Sequence, residues 1–192
     1  MDIIFNKCLT YYRNQQKIVN HFFEKDRNIP IWAIFESITL GEFGMFFSCL
    51  DKNIKLKISK SLKLPVNFDS DGLLTQYIIY AVKDLRNAIA HNNVIFDTRF
   101  CTGNINKRLS LSIEHETQIK NITFKDIEDY IILVAYIIKK LNVPKTEITR
   151  FAKEFQDNIE NLRSIIPINI YNKIINTDTK NKLKQLNISI SK

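Results

Sequence analysis

Apolar residues recur at three- and four-residue intervals over most of this chain, the period of an amphipathic helix rather than a strand. From Ile3 to about Lys25 they fall at Ile4, Cys8, Tyr11, Tyr12, Ile18, Val19, Phe22 and Phe23, which predicts a first helix. Asn28-Ile29-Pro30 interrupts it, and Pro30 suits the first turn of a second helix, where its missing N–H is not needed. That helix is expected to run to about Leu50 and carries Trp32, Phe35, Phe43, Phe46 and Phe47, an aromatic load fit for a core. Gly41 and Gly44 each weaken it by about 1 kcal/mol relative to Ala, and their spacing suggests close backbone packing. In 54–64 the apolar residues fit both alternation and a helical stripe, and a short helix is favoured; 65–72, with Asp69 and Asp71, reads as a loop.

The clearest helix lies between about Leu73 and His91. Leu74, Ile78, Ala81, Val82, Leu85 and Ile89 form one stripe, which fixes the direction of the core. At about 100° per residue, Asn87 and His91 point away from that stripe and Arg86 lies on its flank. Asn92-Asn93 then supplies a stop, because Asn tolerates the left-handed conformation. Residues 94–120 read as loop, with the alternation of Leu109, Leu111 and Ile113 allowing a short strand or hairpin. Thr123 is placed to cap a long helix, Phe124 to Leu141, with Asp126 and Glu128 in its first turn and Lys139-Lys140 in its last. Its centre, Tyr130 to Ile138, is apolar on every side, so it must be enclosed by other helices or shared between subunits. Pro144 separates it from a helix over about Thr146 to Ile165; after Pro167, residues 168–192 read as a weak helix or a loosely packed basic tail. The expectation is an all-α bundle forming a single domain over 1–192.

At 192 residues, with 45% hydrophobic and 25% charged residues, the chain has an ordinary globular composition. Its longest apolar run is far short of the roughly 18 residues that span a bilayer, and no apolar leader opens it, so a cytoplasmic protein with no membrane partner is expected. Cys8, Cys49 and Cys101 form no CxxC pair and read as buried free thiols. The net charge of +8 is uneven. Residues 139–192 hold 11 Lys and Arg against 5 Asp and Glu, and a second basic cluster joins Lys52, Lys55, Lys57, Lys60 and Lys63. These lysines, with Lys139 and Lys140, are candidate contacts to an RNA backbone, where counterion release rewards positive charge without reading sequence; a solvated surface is the competing reading.

Among the histidines, His21 and His115 belong to no constellation and read as structural or exposed. His91 shares an outward face with Asn87 and follows Arg86 by five positions. A permanent cation beside an imidazole suits RNA transphosphorylation, in which one group moves the 2′-hydroxyl proton and another stabilises charge on the phosphorus. Arg86 and His91 lie about 140° apart on an ideal helix, so two motifs facing each other across a dyad would present them to one phosphate better than a single straight helix. Paired carboxylates at ligand spacing are missing around His91, and Asp84 and Asp97 read as a helix surface charge and a turn residue. The four glycines form no phosphate-cradling loop, so neither metal catalysis nor nucleotide hydrolysis is supported, and no cofactor is expected.

Across Leu85-Arg86-Asn87-Ala88-Ile89-Ala90-His91-Asn92 the chain resembles the HEPN (higher eukaryote and prokaryote nucleotide-binding) ribonucleases, which carry an Arg and a His separated by four to six residues, commonly with Asn directly after the Arg. The upstream segment Ile29-Pro30-Ile31-Trp32-Ala33-Ile34-Phe35-Glu36-Ser37-Ile38-Thr39-Leu40-Gly41 is similar to the Pro-Ile-Trp, Glu, Thr-x-Gly stretch of bacterial abortive-infection proteins of the AbiD/AbiF type. The resemblance covers roughly residues 1 to 140. Typical members carry a further N-terminal portion, so this chain looks like a reduced form, and many have a second His where this chain has Asn92. The resemblance implies a HEPN-like helical bundle that pairs as a homodimer and cleaves RNA without metal or cofactor in anti-phage defence, leaving a 2′,3′-cyclic phosphate. In that scheme His91 is general base or acid, Arg86 stabilises the transition state and Asn87 orients them, with an antitoxin as a possible controlling partner. Two other readings stay open: an RNA-binding protein in stable complex with a structured noncoding RNA, and a purely structural role for Arg86 and His91 in a dimer interface.

Overall fold

A computed structural model describes residues 10, 17–25, 28–101 and 103–191. Among the described residues the secondary structure is ten α-helices and a single 3-10 turn, with no strand. The chain divides into two compact units, Met1–Phe46 and Phe47–Lys192.

In the first unit, α1 (Lys17–Glu24) packs against α2 (Ile31–Ser37), with Phe22 meeting Trp32 edge-on at 5.9 Å. The earlier part of the expected first helix lies outside the described residues, apart from Thr10. The single helix expected from Pro30 to Leu50 is two helices, because the chain is extended at Ile38 before α3 (Leu40–Ser48) begins. The break is encoded: Thr39 Oγ1 accepts from the Glu42 N–H at 3.2 Å and Glu42 Oε2 accepts from the Thr39 N–H at 2.8 Å, a reciprocal capping box that starts a new helix. Phe35 sits edge-on to Phe43 and Phe46, so the aromatic residues pack on one another across the break. Gly44 is buried.

In the second unit, α4 (Lys52–Ser61) is the short helix favoured for 54–64; Asp51 caps it by accepting from the Asn53 N–H. The loop that follows contains the 3-10 turn Val66–Phe68 and Asp69, whose buried carboxylate accepts from the Leu74 N–H at 2.8 Å and from Ser59 Oγ. This sets the start of α5 (Leu74–Ala90) against α4. On α5 the expected stripe is buried at Leu74, Ile78, Ala81 and Leu85, but Ile89 is 57% exposed and Ala88 is the buried residue of the last turn.

The hairpin allowed within 94–120 is absent among the described residues; α6 (Lys107–Thr117) occupies that segment, capped by Asn106. Leu109 and Ile113, four apart, are fully buried while Leu111 is exposed, so the alternation was half of a helical stripe. Next, α7 (Ile127–Lys140) starts three residues later than expected, and Thr123 does not cap it. Instead the Thr123 and Phe124 N–H groups both donate to Asp129 Oδ2 in its first turn, at 2.8 and 2.9 Å. This helix is the axis of the unit, packed against α5, α6, α8 (Lys145–Ile165) and α10 (Thr179–Ser191), which accounts for its all-round apolar centre.

Residues 168–191 form α9 (Ile168–Ile174) and α10, and the side chains of Tyr171, Ile175, Leu183, Leu186 and Ile190 are buried in the core. α10 is anchored by charge as well as by apolar contact. Lys182, 6% exposed, reaches Asp129 at 2.6 Å and the Asn121 carbonyl at 2.9 Å, while Thr179 Oγ1 donates to the buried Glu128 at 3.0 Å. No described helix is long and apolar enough to cross a membrane.

Candidate functional site

The residues singled out for chemistry gather at the last turn of α5. Arg86 and His91 are exposed and Asn87 is half-buried, as their positions opposite and beside the apolar stripe require. The Arg86 guanidinium donates through Nη1 to Asn87 Oδ1 at 3.1 Å, so Asn87 steers the cation along the helix surface. His91 is the C-cap: its N–H still bonds the Asn87 carbonyl at 3.0 Å, and its backbone has left helical geometry. Asn92 follows at φ 52°, and the Asn92 and Asn93 N–H groups close back onto the Ile89 and Ala88 carbonyls. That double closure is a Schellman stop, with the left-handed residue where the sequence put it. It holds the imidazole of His91 at a rigid helix end, facing solvent.

The surroundings differ from the expectation at one carboxylate and match it at another. Asp84 is not a surface charge; it is 7% exposed, and its carboxylate lies 2.9 Å from Lys83 Nζ. Asp97 is a turn residue, accepting from the Arg99 N–H and pairing with its guanidinium. Ile89 and Val94, 57% and 60% exposed, place apolar surface beside Arg86 and His91. Behind the site, burial raises the Tyr130 phenol far above its ordinary value, with Cys101 and the Asp84 and Asp129 charges adding to it, so Tyr130 stays protonated.

The candidate RNA-backbone lysines fall into two groups. On α4, Lys52, Lys57 and Lys60 are exposed, while Lys55 donates to the Ser48 carbonyl at 2.7 Å. Lys63, Lys139 and Lys140 come together around a cavity of about 240 Å³ that Tyr136 also lines. Lys140 donates to the Lys63 carbonyl and to Glu116, and Lys139 to the Ser189 carbonyl at 2.6 Å. These ammonium groups serve carbonyls at the ends of α4 and α10, where the helix dipole favours a cation. They sit at the far end of α7 from Tyr130, about 15 Å along its axis.

Of the other residues read from sequence, His21 and His115 are exposed, His115 with its ring against Phe68. Cys49 is exposed rather than buried and Cys101 is half-buried, its thiol donating to the Gly103 carbonyl; both are free, and Cys8 lies outside the described residues. Sequence reasoning missed the half-buried Gln76, Tyr80 and Lys83, which share the face of Asn87 and His91; the signal was present in their three- and four-residue spacing.

No curated protein and no solved structure matches the chain. A family model described as Abi-like protein does match, over residues 2–97, a span that holds both the Pro30-Ile31-Trp32 segment and the whole of Arg86 to His91. With half of its length matched, and with the paired motifs inside that half, the chain belongs to the Abi-like protein family, an abortive-infection family.

Proposed function

We propose that this protein is a metal-independent endoribonuclease of bacterial abortive-infection defence, of the HEPN type and AbiD/AbiF-like, acting through Arg86, Asn87 and His91 at a homodimer interface. The observation that carries this reading is the placement of a guanidinium, its orienting amide and an imidazole on the open end of one helix, none of them committed to the core. Arg86 and His91 are exposed on the chain, which leaves both side chains accessible to a substrate.

In the proposed reaction the 2′-oxygen of a ribose attacks the adjacent phosphorus while its proton passes to an imidazole. The phosphorus–O5′ bond breaks, and the departing oxygen takes a proton from an imidazolium, giving a 2′,3′-cyclic phosphate and a 5′-hydroxyl. Arg86 stabilises the charge that builds on the non-bridging oxygens, where a fixed cation is worth most. Loss of one such group typically costs a hundredfold to ten-thousandfold in rate, on the order of what acid–base catalysis contributes. The defence role rests on family membership.

The test is incubation of the purified protein with total RNA in excess chelator. Cleavage is expected to persist, to leave cyclic phosphate ends, and to vanish on His91→Ala with the melting temperature unchanged, because an exposed C-cap side chain contributes little packing. RNA that stays intact with the parent protein overturns the nuclease reading. Should one discrete RNA species copurify uncut, the noncoding-RNA complex takes its place.

A further inference from the structure

Outside the motif, α5 carries a second pattern. Gln76, Tyr80, Lys83 and Asn87 are each half-buried and lead to His91 at intervals of four, three, four and four residues. At about 100° per residue they share a sector about 80° wide, and the stripe from Gln76 to His91 is about 22 Å long. The interleaved Thr75, Ile78, Ile79, Asp84 and Leu85 are buried. The stripe is therefore polar, partly accessible and continuous with the end of the helix that carries Asn87 and His91.

Two of its side chains are held in relation to each other. Lys83 Nζ lies 5.4 Å from the centre of the Tyr80 ring and 2.9 Å from the Asp84 carboxylate. Asp84 is buried, so it tethers the ammonium instead of leaving it to sweep through solvent. The Lys83 side chain nevertheless keeps 21% of its surface exposed. The Tyr80 hydroxyl and the Gln76 amide make no hydrogen bond among the described residues.

We propose that this stripe is the substrate track of the Arg86–His91 site, and that the RNA it takes is unpaired. The proposal rests on the ribonuclease reading. Tyr80 presents a partly exposed ring on which a base stacks, Lys83 contacts a phosphate, and Gln76 offers an amide to a base edge. Stacking on a side chain requires a base that is not already stacked within a helix, which selects single strands over duplex. Because the track leads straight into Asn87 and His91, it sets the register in which a ribose-phosphate meets the reacting groups.

The experiment uses the full chain and a single-stranded RNA made uncleavable by 2′-deoxy substitution, together with its duplex. The parent is expected to bind the single strand more tightly than the duplex. Tyr80→Leu, which keeps apolar volume but removes the ring, is expected to weaken binding about tenfold and to raise KM more than it lowers kcat; Tyr80→Phe restores both. Lys83→Gln is expected to reduce the slope of binding against salt by about one phosphate contact. A melting temperature measured on each variant separates lost binding from lost folding. If Tyr80→Leu and Lys83→Gln bind like the parent while His91→Ala still abolishes cleavage, the track is overturned and the catalytic site stands. If the parent neither binds nor cuts RNA, both fall.

Discussion

Asn92 adopts φ 52°, a backbone conformation in which L side chains crowd the following carbonyl and which Asn and His tolerate better than most residues. The position follows His91 directly, so its dihedral angle sets where the chain turns away from the imidazole. Asn92→Gly is therefore expected to change stability by no more than a few tenths of a kcal/mol, whereas Asn92→Val should cost about 1–2 kcal/mol. Urea unfolding midpoints of the two variants check this, and a Val variant as stable as the parent would show that the turn is not where the structure puts it. This residue was legible in the sequence because a local dihedral has a local signature. Gly72 was not: its φ of 75°, with Lys55 Cβ only 2.5 Å from where a Cβ would stand, depends on a helix arriving from elsewhere in the chain.

At the scale of elements, helix identity was readable wherever the stripe was long, and failed where competing periods were short. Leu109, Leu111 and Ile113 satisfy alternation over five residues, and only burial of the four-apart pair reveals a helix. The capping box at Thr39 and Glu42 was present in the sequence, but a continuous aromatic load across 32–47 masked it. What the pattern could not reveal is the polar seam between α7 and α10, because Glu128, Asp129, Thr179 and Lys182 look like surface residues until the two helices meet. Within that seam, burial raises the Glu128 carboxyl above its ordinary value, with nearby Asp126 adding to the rise and the Thr179 hydrogen bond and Lys182 opposing it. Its second oxygen has no partner among the described residues. The folded protein thus holds this proton more tightly than the unfolded chain. The contribution to stability is complete below the unfolded value and is lost as pH rises through the folded one. Glu128→Gln keeps the acceptor for Thr179 and removes the titration. Melting temperature followed from pH 4 to 7 should fall more steeply for the parent than for the variant, leaving the variant the more stable at neutral pH; a parent that gains on the variant as pH rises would contradict the burial argument.

For the molecule as a whole, the decisive question is whether one chain or two complete the site. The all-helical class was written in the hydrophobic period, and the candidate site in a single helix, but no sequence pattern states what faces that helix. Two observations bear on pairing. On an ideal helix Arg86 and His91 would diverge by about 140° around the axis, and Ile89 and Val94 leave apolar surface exposed beside them. If each site takes Arg86 from one copy and His91 from its partner, a two-fold axis creates two such sites per dimer. Inactive Arg86→Ala and inactive His91→Ala chains, mixed and allowed to exchange, then rebuild one intact site in every mixed dimer. Cleavage should return to about a quarter of the parent level, because half the dimers are mixed and each has one of two sites. Ile89→Asp, which removes no core contact, should convert the protein to a monomer in sedimentation and abolish this rescue while preserving the helical signal. Mixed inactive chains that remain inactive, alongside a parent that sediments as a monomer while cutting RNA, would mean that a single α5 presents both groups and that the exposed isoleucine serves another partner.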